Sequence, residues 1–129
     1  MSGPIALLLL AALQGATCNP EGSQMEMNAC AADAFERADA DLNRLWREVI
    51  GGAQQADREI DRSYDTRPTS EAAIRDAQRA WVTFRDAQCT YEAYAERGGS
   101  IEPLVYDECR ARLTRERIAQ LSPQPAPEQ

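Results

Sequence analysis

Apolar side chains recur at spacings of three and four between Met25 and about Tyr64, at Phe35, Ala38, Leu42, Leu45, Val49, Ala53, Ala56 and Ile60. That period predicts one long amphipathic helix. Glycine in a helix interior costs roughly 1 kcal/mol relative to alanine, so Gly51-Gly52 is where this helix is expected to bend or break. A loop follows at "YDTRPTS", where Pro68 disfavours helical geometry at Arg67, and Thr69 or Ser70 can cap the next helix. The second helix has a stripe of Ile74, Ala77, Trp81, Phe84 and Tyr91, shared with Gln88, and stops at "RGGS". Trp81 and Phe84 in that stripe read as core rather than as a ligand site. A third helix starts near Ser100 or Glu102, with Pro103 in its first turn, and runs to Leu121. Strand-like alternation, phosphate-binding glycine loops and internal repeats are all missing. The fold class is all-α, a small bundle of about three helices.

The two ends of the chain read differently from this middle. Residues 1–17 carry an apolar run from Ile5 to Leu13 and no charged side chain, the pattern of a secretory leader, though without a preceding cation. At this length the run falls short of the roughly 20 apolar residues a membrane span needs. Residues 18–121 form the domain, and the Pro-rich tail, 122–129, is expected to be disordered. Cys18 lies where a lipid-modified cysteine would, but "GAT" before it lacks the usual Leu and the small Gly or Ala. Lipidation there would also leave Cys30 as an odd cysteine in an oxidising compartment.

Composition narrows the function classes. The 129 residues are 43% hydrophobic and 27% charged, enough apolar content for one modest core. A formal charge of −7 argues against nucleic acid as a partner and would attract a basic protein, or serve only solubility. All 14 cations are arginine, a bias ascribed to genomic base composition, and there is no histidine. The commonest general base and metal ligand is thus absent from the sequence.

The four cysteines carry the main chemistry. Their number is even, with no CxxC spacing, which favours a disulfide framework over zinc or redox catalysis. Cys89 lies ten residues before Gly99 and Cys109 ten after, so antiparallel helices joined at "GGS" bring the two level. Cys18 and Cys30 are left to each other, the alternative being one N-terminal cysteine tied to Cys89 or Cys109. A nucleophilic Cys89 would need a base that Arg85 and Asp86 cannot replace. Arg79, Arg85 and Asp86 either pair with neighbouring helices or face a partner. Asp57, Asp61 and Asp65 fall four apart, but Arg58 and Arg62 interleave and no calcium-loop pattern accompanies them, so they read as a solvated helix face with local ion pairs. No pair of acids stands out for glycoside hydrolysis. The sequence therefore nominates no catalytic residue, cofactor site or metal ligand.

Several motifs in order carry a resemblance: "QMEMNAC" (Gln24 to Cys30), Ala38-Asp39 with Leu42-Asn43, "AQRAWVTFRDAQC" (Ala77 to Cys89), and the "GGS" turn with Cys109. Together they resemble the lysozyme inhibitor LprI-like N-terminal domain family, over about Cys18 to Leu121. The resemblance implies a small exported helical domain of bacterial envelopes, whose named member inhibits lysozyme as a lipoprotein. This chain lacks a good lipid-attachment motif, and no family catalytic residues are carried over. What is expected is a periplasmic or secreted binding module that occludes a cationic lysozyme-type glycosidase by electrostatic attraction and surface complementarity. The alternative is a structural or accessory envelope protein with a different protein partner. Glu96, Arg97, Gly98, Gly99 and Ser100 form the candidate contact, because a Cys89–Cys109 bridge would hold that tip and lower its ordering cost. An ordinary interhelical turn is the plainer reading.

Overall fold

The computed structural model describes residues 16–123. The leader assigned to residues 1–17 and the tail assigned to 122–129 lie almost wholly outside the described residues. Among those described there are three α-helices and no strand: α1 (Gln24–Glu59), α2 (Ser70–Ala93) and α3 (Glu102–Leu121), with a single 3-10 turn at Tyr94–Glu96. The all-α bundle read from the sequence is the fold.

Local chemistry sets each helix start. Ser23 and Glu26 form a reciprocal capping box, the Ser23 hydroxyl accepting from the Glu26 amide and the Glu26 carboxylate from the Ser23 amide, both at 3.2 Å. These bonds hold the Glu26 carboxyl below its usual range. At α2, the Thr69 hydroxyl accepts from the Ala72 amide at 3.1 Å. Asp57 of α1 takes the next two orphan amides, Ser70 at 2.7 Å and Glu71 at 3.0 Å. Pro103 occupies the first turn of α3, where no amide is needed.

α1 runs unbroken through Gly51 and Gly52, against the expected bend. Both glycines are exposed, and a β-carbon at either would meet nothing within 4 Å. Their cost is conformational only, and neighbours Val49, Ile50 and Ala53, all half-buried, hold the helix in place.

Contacts give the topology. Asn28 reaches Ser100 and Asp41 pairs with Arg115, so α1 and α3 run parallel. Asp57 with Ser70 and Asp39 with Arg85 make α2 antiparallel to both. α1 packs most extensively on α3. At about 1.5 Å per residue α1 is about 54 Å long and α3 about 30 Å. Taking Asp41 and Arg115 as level, α3 ends near Arg47, and the last dozen residues of α1 project beyond it with only the start of α2 alongside. Ala56 and Ile60, expected in the core stripe, are exposed for this reason.

The core is small and unusual. Its buried apolar residues are Ala31, Ala38, Leu42, Ala93, Cys89 and Cys109. Larger side chains alternate as rings and guanidiniums across all three helices. Arg110 lies 4.4 Å from the Tyr106 ring and 3.7 Å from that of Phe35, while Arg85 lies 5.1 Å from Phe35 and 5.0 Å from Trp81. Arg117 ends the ladder 5.9 Å from Trp81, its pKa lowered by burial. Arg85 is only 6% exposed, with Asp86 at 2.9 Å, Asp39 at 4.0 Å and the buried Thr114 hydroxyl at 3.5 Å. Guanidiniums can stack on rings on both faces in a way an ammonium cannot, so the all-arginine composition has a structural use here.

This ladder corrects the stripe assigned to α2. Phe84 and Tyr91 are not core: they are 56% and 75% exposed, and Ala77 is exposed too. The inward face is Ile74, Gln78, Trp81, Arg85 and Cys89. Phe84 lies about 140° and Tyr91 about 160° around the helix from Cys89, at about 100° per residue. Once Cys89 is bonded to α3, neither aromatic can turn inward.

Candidate functional site

The four cysteines form two bonds, Cys18–Cys30 and Cys89–Cys109, with Cα separations of 4.4 and 5.4 Å. Cys89 and Cys109 are fully buried. Their sulfurs cluster with the Glu92 carboxylate, but both are consumed by the bond between them, and Glu92 pairs with Arg112 at 2.9 Å. This group therefore offers no thiolate to a metal or a substrate.

The Glu96–Ser100 tip joins α2 to α3 and is tied on several sides. Gly98 has φ +81°, a left-handed conformation that favours glycine. Its amide donates to Glu102 at 2.7 Å, and the Gly99 amide donates to the Glu96 carbonyl at 2.9 Å. Asn28 of α1 donates to the Ser100 carbonyl at 3.0 Å, itself held by Gln24 at 2.8 Å. The Cys18–Cys30 bond anchors that first stretch of α1, so both disulfides flank the tip. Arg97 lies over the Tyr94 ring at 4.2 Å. All five tip residues are exposed.

At the opposite end, residues 60–69 form a second ordered loop, which the sequence marks from Tyr64 on as a connection and not as a candidate site. Asp61 and Asp65 are not on a helix face with Asp57, because α1 ends at Glu59. Asp61 accepts from the Ser63 amide at 2.9 Å and hydroxyl at 2.5 Å, and Asp65 accepts from the Arg67 amide at 3.1 Å and guanidinium at 2.9 Å. Arg62 donates to the Arg67 carbonyl. These bonds, with Ser70 and Glu71 on Asp57, hold all three carboxyls below their usual range. Tyr64 stands fully exposed between them. The Asp-x-Ser and Asp-x-Arg spacings, which favour local turns over helix, were the available signal.

Of the three side chains left open by the sequence, Arg85 is inside the ladder, Asp86 binds it, and Arg79 pairs with Asp76 on the surface. Among the described residues every carboxylate with a clearly shifted pKa is moved down, away from the range of a general acid or base at neutral pH. No helix among them is long and apolar enough to cross a membrane. The arrangement presents two rigid loops at opposite ends of a braced bundle, a geometry suited to binding.

Comparison with known proteins agrees with a domain of this extent. The chain is 41% identical over 107 residues to an uncharacterized protein of Rhizobium meliloti, covering 81% of this chain and 75% of that one. No solved structure matches it. The model of the family described as "Lysozyme inhibitor LprI" matches residues 16–121, nearly all of the described helical domain. The chain belongs to the lysozyme inhibitor LprI family.

Proposed function

We propose that this protein is an exported envelope binding module, without catalysis of its own, that inhibits a lysozyme-type glycosidase by occluding it. Family membership supports a protein partner. The two disulfides support an oxidising compartment, periplasmic or extracellular, and the bonded Cys18 has no free thiol for a lipid. The charge of −7 would steer a cationic enzyme toward it.

The observation that carries the reading is the pre-tied tip. Glu96 to Ser100 is exposed yet fixed by Asn28, Glu102 and the flanking bonds, so little ordering entropy is lost when a partner covers it. Lysis assays with c-, g- and i-type lysozymes test it directly. Inhibition by at least one type at micromolar protein is expected, weakening with added salt and on Glu96→Arg. No inhibition of any type at that concentration would overturn it and favour an accessory envelope role with another protein partner.

A further inference from the structure

Beside the Glu96–Ser100 tip lies a cleft whose chemistry the fold itself does not use. The end of α2, the 3-10 turn and the start of α3 leave an opening of about 390 Å³, lined by Thr90, Ala93, Tyr94, Glu102, Pro103 and Tyr106. Two aromatic rings and one carboxylate share this lining, and no cation does. Glu102 is half-buried, and its Oε2 accepts from the Gly98 amide at 2.7 Å. Among the described residues its Oε1 has no partner and no arginine pairs with it. Other carboxylates of the same hairpin are answered, Glu92 by Arg112 and Asp107 by Arg110.

We propose that this cleft takes a basic side chain of a protein partner, an arginine above all, held against the Tyr94 and Tyr106 rings and the free Oε1 of Glu102. Both rings already hold guanidiniums: Arg97 lies 4.2 Å from Tyr94 and Arg110 4.4 Å from Tyr106. Neither arginine lines the cleft, so each ring carries one cation outside it and still presents surface within it. A carboxylate against aromatic carbon is less well hydrated than a free one, and a cation entering there gains from the charge and from the rings together. A planar guanidinium can do both at once, stacking through its face and donating through its edge, which an ammonium cannot.

The proposal rests on the reading of a cationic protein partner and names the side chain that such a partner must supply. Tyr94 and Glu102 stand two residues before and two after the tip, so a surface that covers the tip also covers the mouth of the cleft. The net charge of −7 draws basic surfaces toward the molecule, and the cleft gives one of their side chains a defined seat. Glu102 links the two, since the carboxylate that would receive the guanidinium also holds the Gly98 amide.

Titration of the isotope-labelled protein with N-acetyl-arginine amide, followed by NMR, is the test. The Tyr94 and Tyr106 ring signals and the Gly98 amide should shift together and saturate, with a dissociation constant on the order of 1–10 mM. The neutral isostere N-acetyl-citrulline amide should give no saturating shift. Glu102→Gln keeps an acceptor for the Gly98 amide but removes the charge, and Tyr94→Leu removes an exposed ring; each should weaken binding about tenfold. Tyr91→Leu should not, because it changes a neighbouring cleft whose carboxylate, Glu92, already pairs with Arg112. Equal shifts with the citrulline compound, shifts spread over the acidic surface without saturating at these three residues, or binding unaltered in Glu102→Gln would overturn the proposal. In lysis assays, any lysozyme inhibited by the wild type should need about tenfold more of Glu102→Gln or Tyr94→Leu, and equal inhibition by both variants would also overturn it. A wild type that inhibits no lysozyme overturns the proposed function alone, and the arginine titration then decides the cleft.

Discussion

The two interhelical connections meet the same demand by different chemistry. At the Glu96–Ser100 end the helices are pinned by covalent bonds, Cys89–Cys109 across the hairpin and Cys18–Cys30 at the start of α1. At the 60–69 end there is no cysteine, and ionised Asp57, Asp61 and Asp65 organise the turn by accepting backbone and side-chain hydrogen bonds. The first end also has three helices around it, whereas the second is a two-helix arm beyond the end of α3. One end should therefore answer to reductant, and the other, with three such carboxyls against Glu26 at the first, more strongly to acid.

The strongest way to break this contrast is to remove the covalent pin. Cys89→Ala with Cys109→Ala opens a link spanning a sequence separation of 20, and it should cost about 3 kcal/mol by the loop-entropy argument. Thermal melting should then lose its large drop on adding reductant. Next comes the ladder that both ends share. Arg85→Lys keeps the charge but loses stacking on Phe35 and Trp81 together, with an expected cost of about 1–2 kcal/mol in urea unfolding. Arm stability can be raised instead: Gly51→Ala and Gly52→Ala meet open space and should each add about 1 kcal/mol, read as higher melting temperature.

The smallest global effect, and the most selective, is the response to pH. Asp57, Asp61 and Asp65 have folded pKa values below the ordinary 3.8. Their contribution is complete above 3.8 and is lost as pH falls through the lowered values. Hydrogen exchange at the Ser70 and Glu71 amides should accelerate there, once corrected for intrinsic rates, before exchange near the disulfides does. Asp57→Asn should reproduce the acceleration at neutral pH. Equal acceleration at both ends would show that the division of labour is wrong.

Much of this frame was legible in the chain. Periodicity, Thr69, Pro103 and the "GGS" stop located three helices, because each signal acts locally. The capping box at Ser23 and Glu26 was equally local, and it places the start of α1 just before Gln24. The rotation of α2 was not legible. Two overlapping stripes compete on that helix, and hydrophobicity alone selects the one with Phe84 and Tyr91. What reverses the choice is tertiary: the Phe35 ring on α1 that accepts Arg85, and a cysteine whose partner is on another helix. The first residues of the 60–69 loop read as helix up to about Tyr64 for a related reason. The Asp57, Asp61 and Asp65 spacing mimics a helix face, whereas Asp61 accepts from the Ser63 amide and so offers the backbone a local turn just beyond the end of α1.

The arginine ladder has one more consequence. Arginine stays protonated across the ordinary pH range, so the guanidiniums of the ladder carry a charge that does not change with pH. Of the five carboxyls held below their usual range, four stand around the 60–69 loop and the fifth, Glu26, caps α1 at the other end. Acidification would thus loosen the arm from its exposed end inward and act at the other pole on the Glu26 cap, while the guanidiniums stacked between the rings keep their charge.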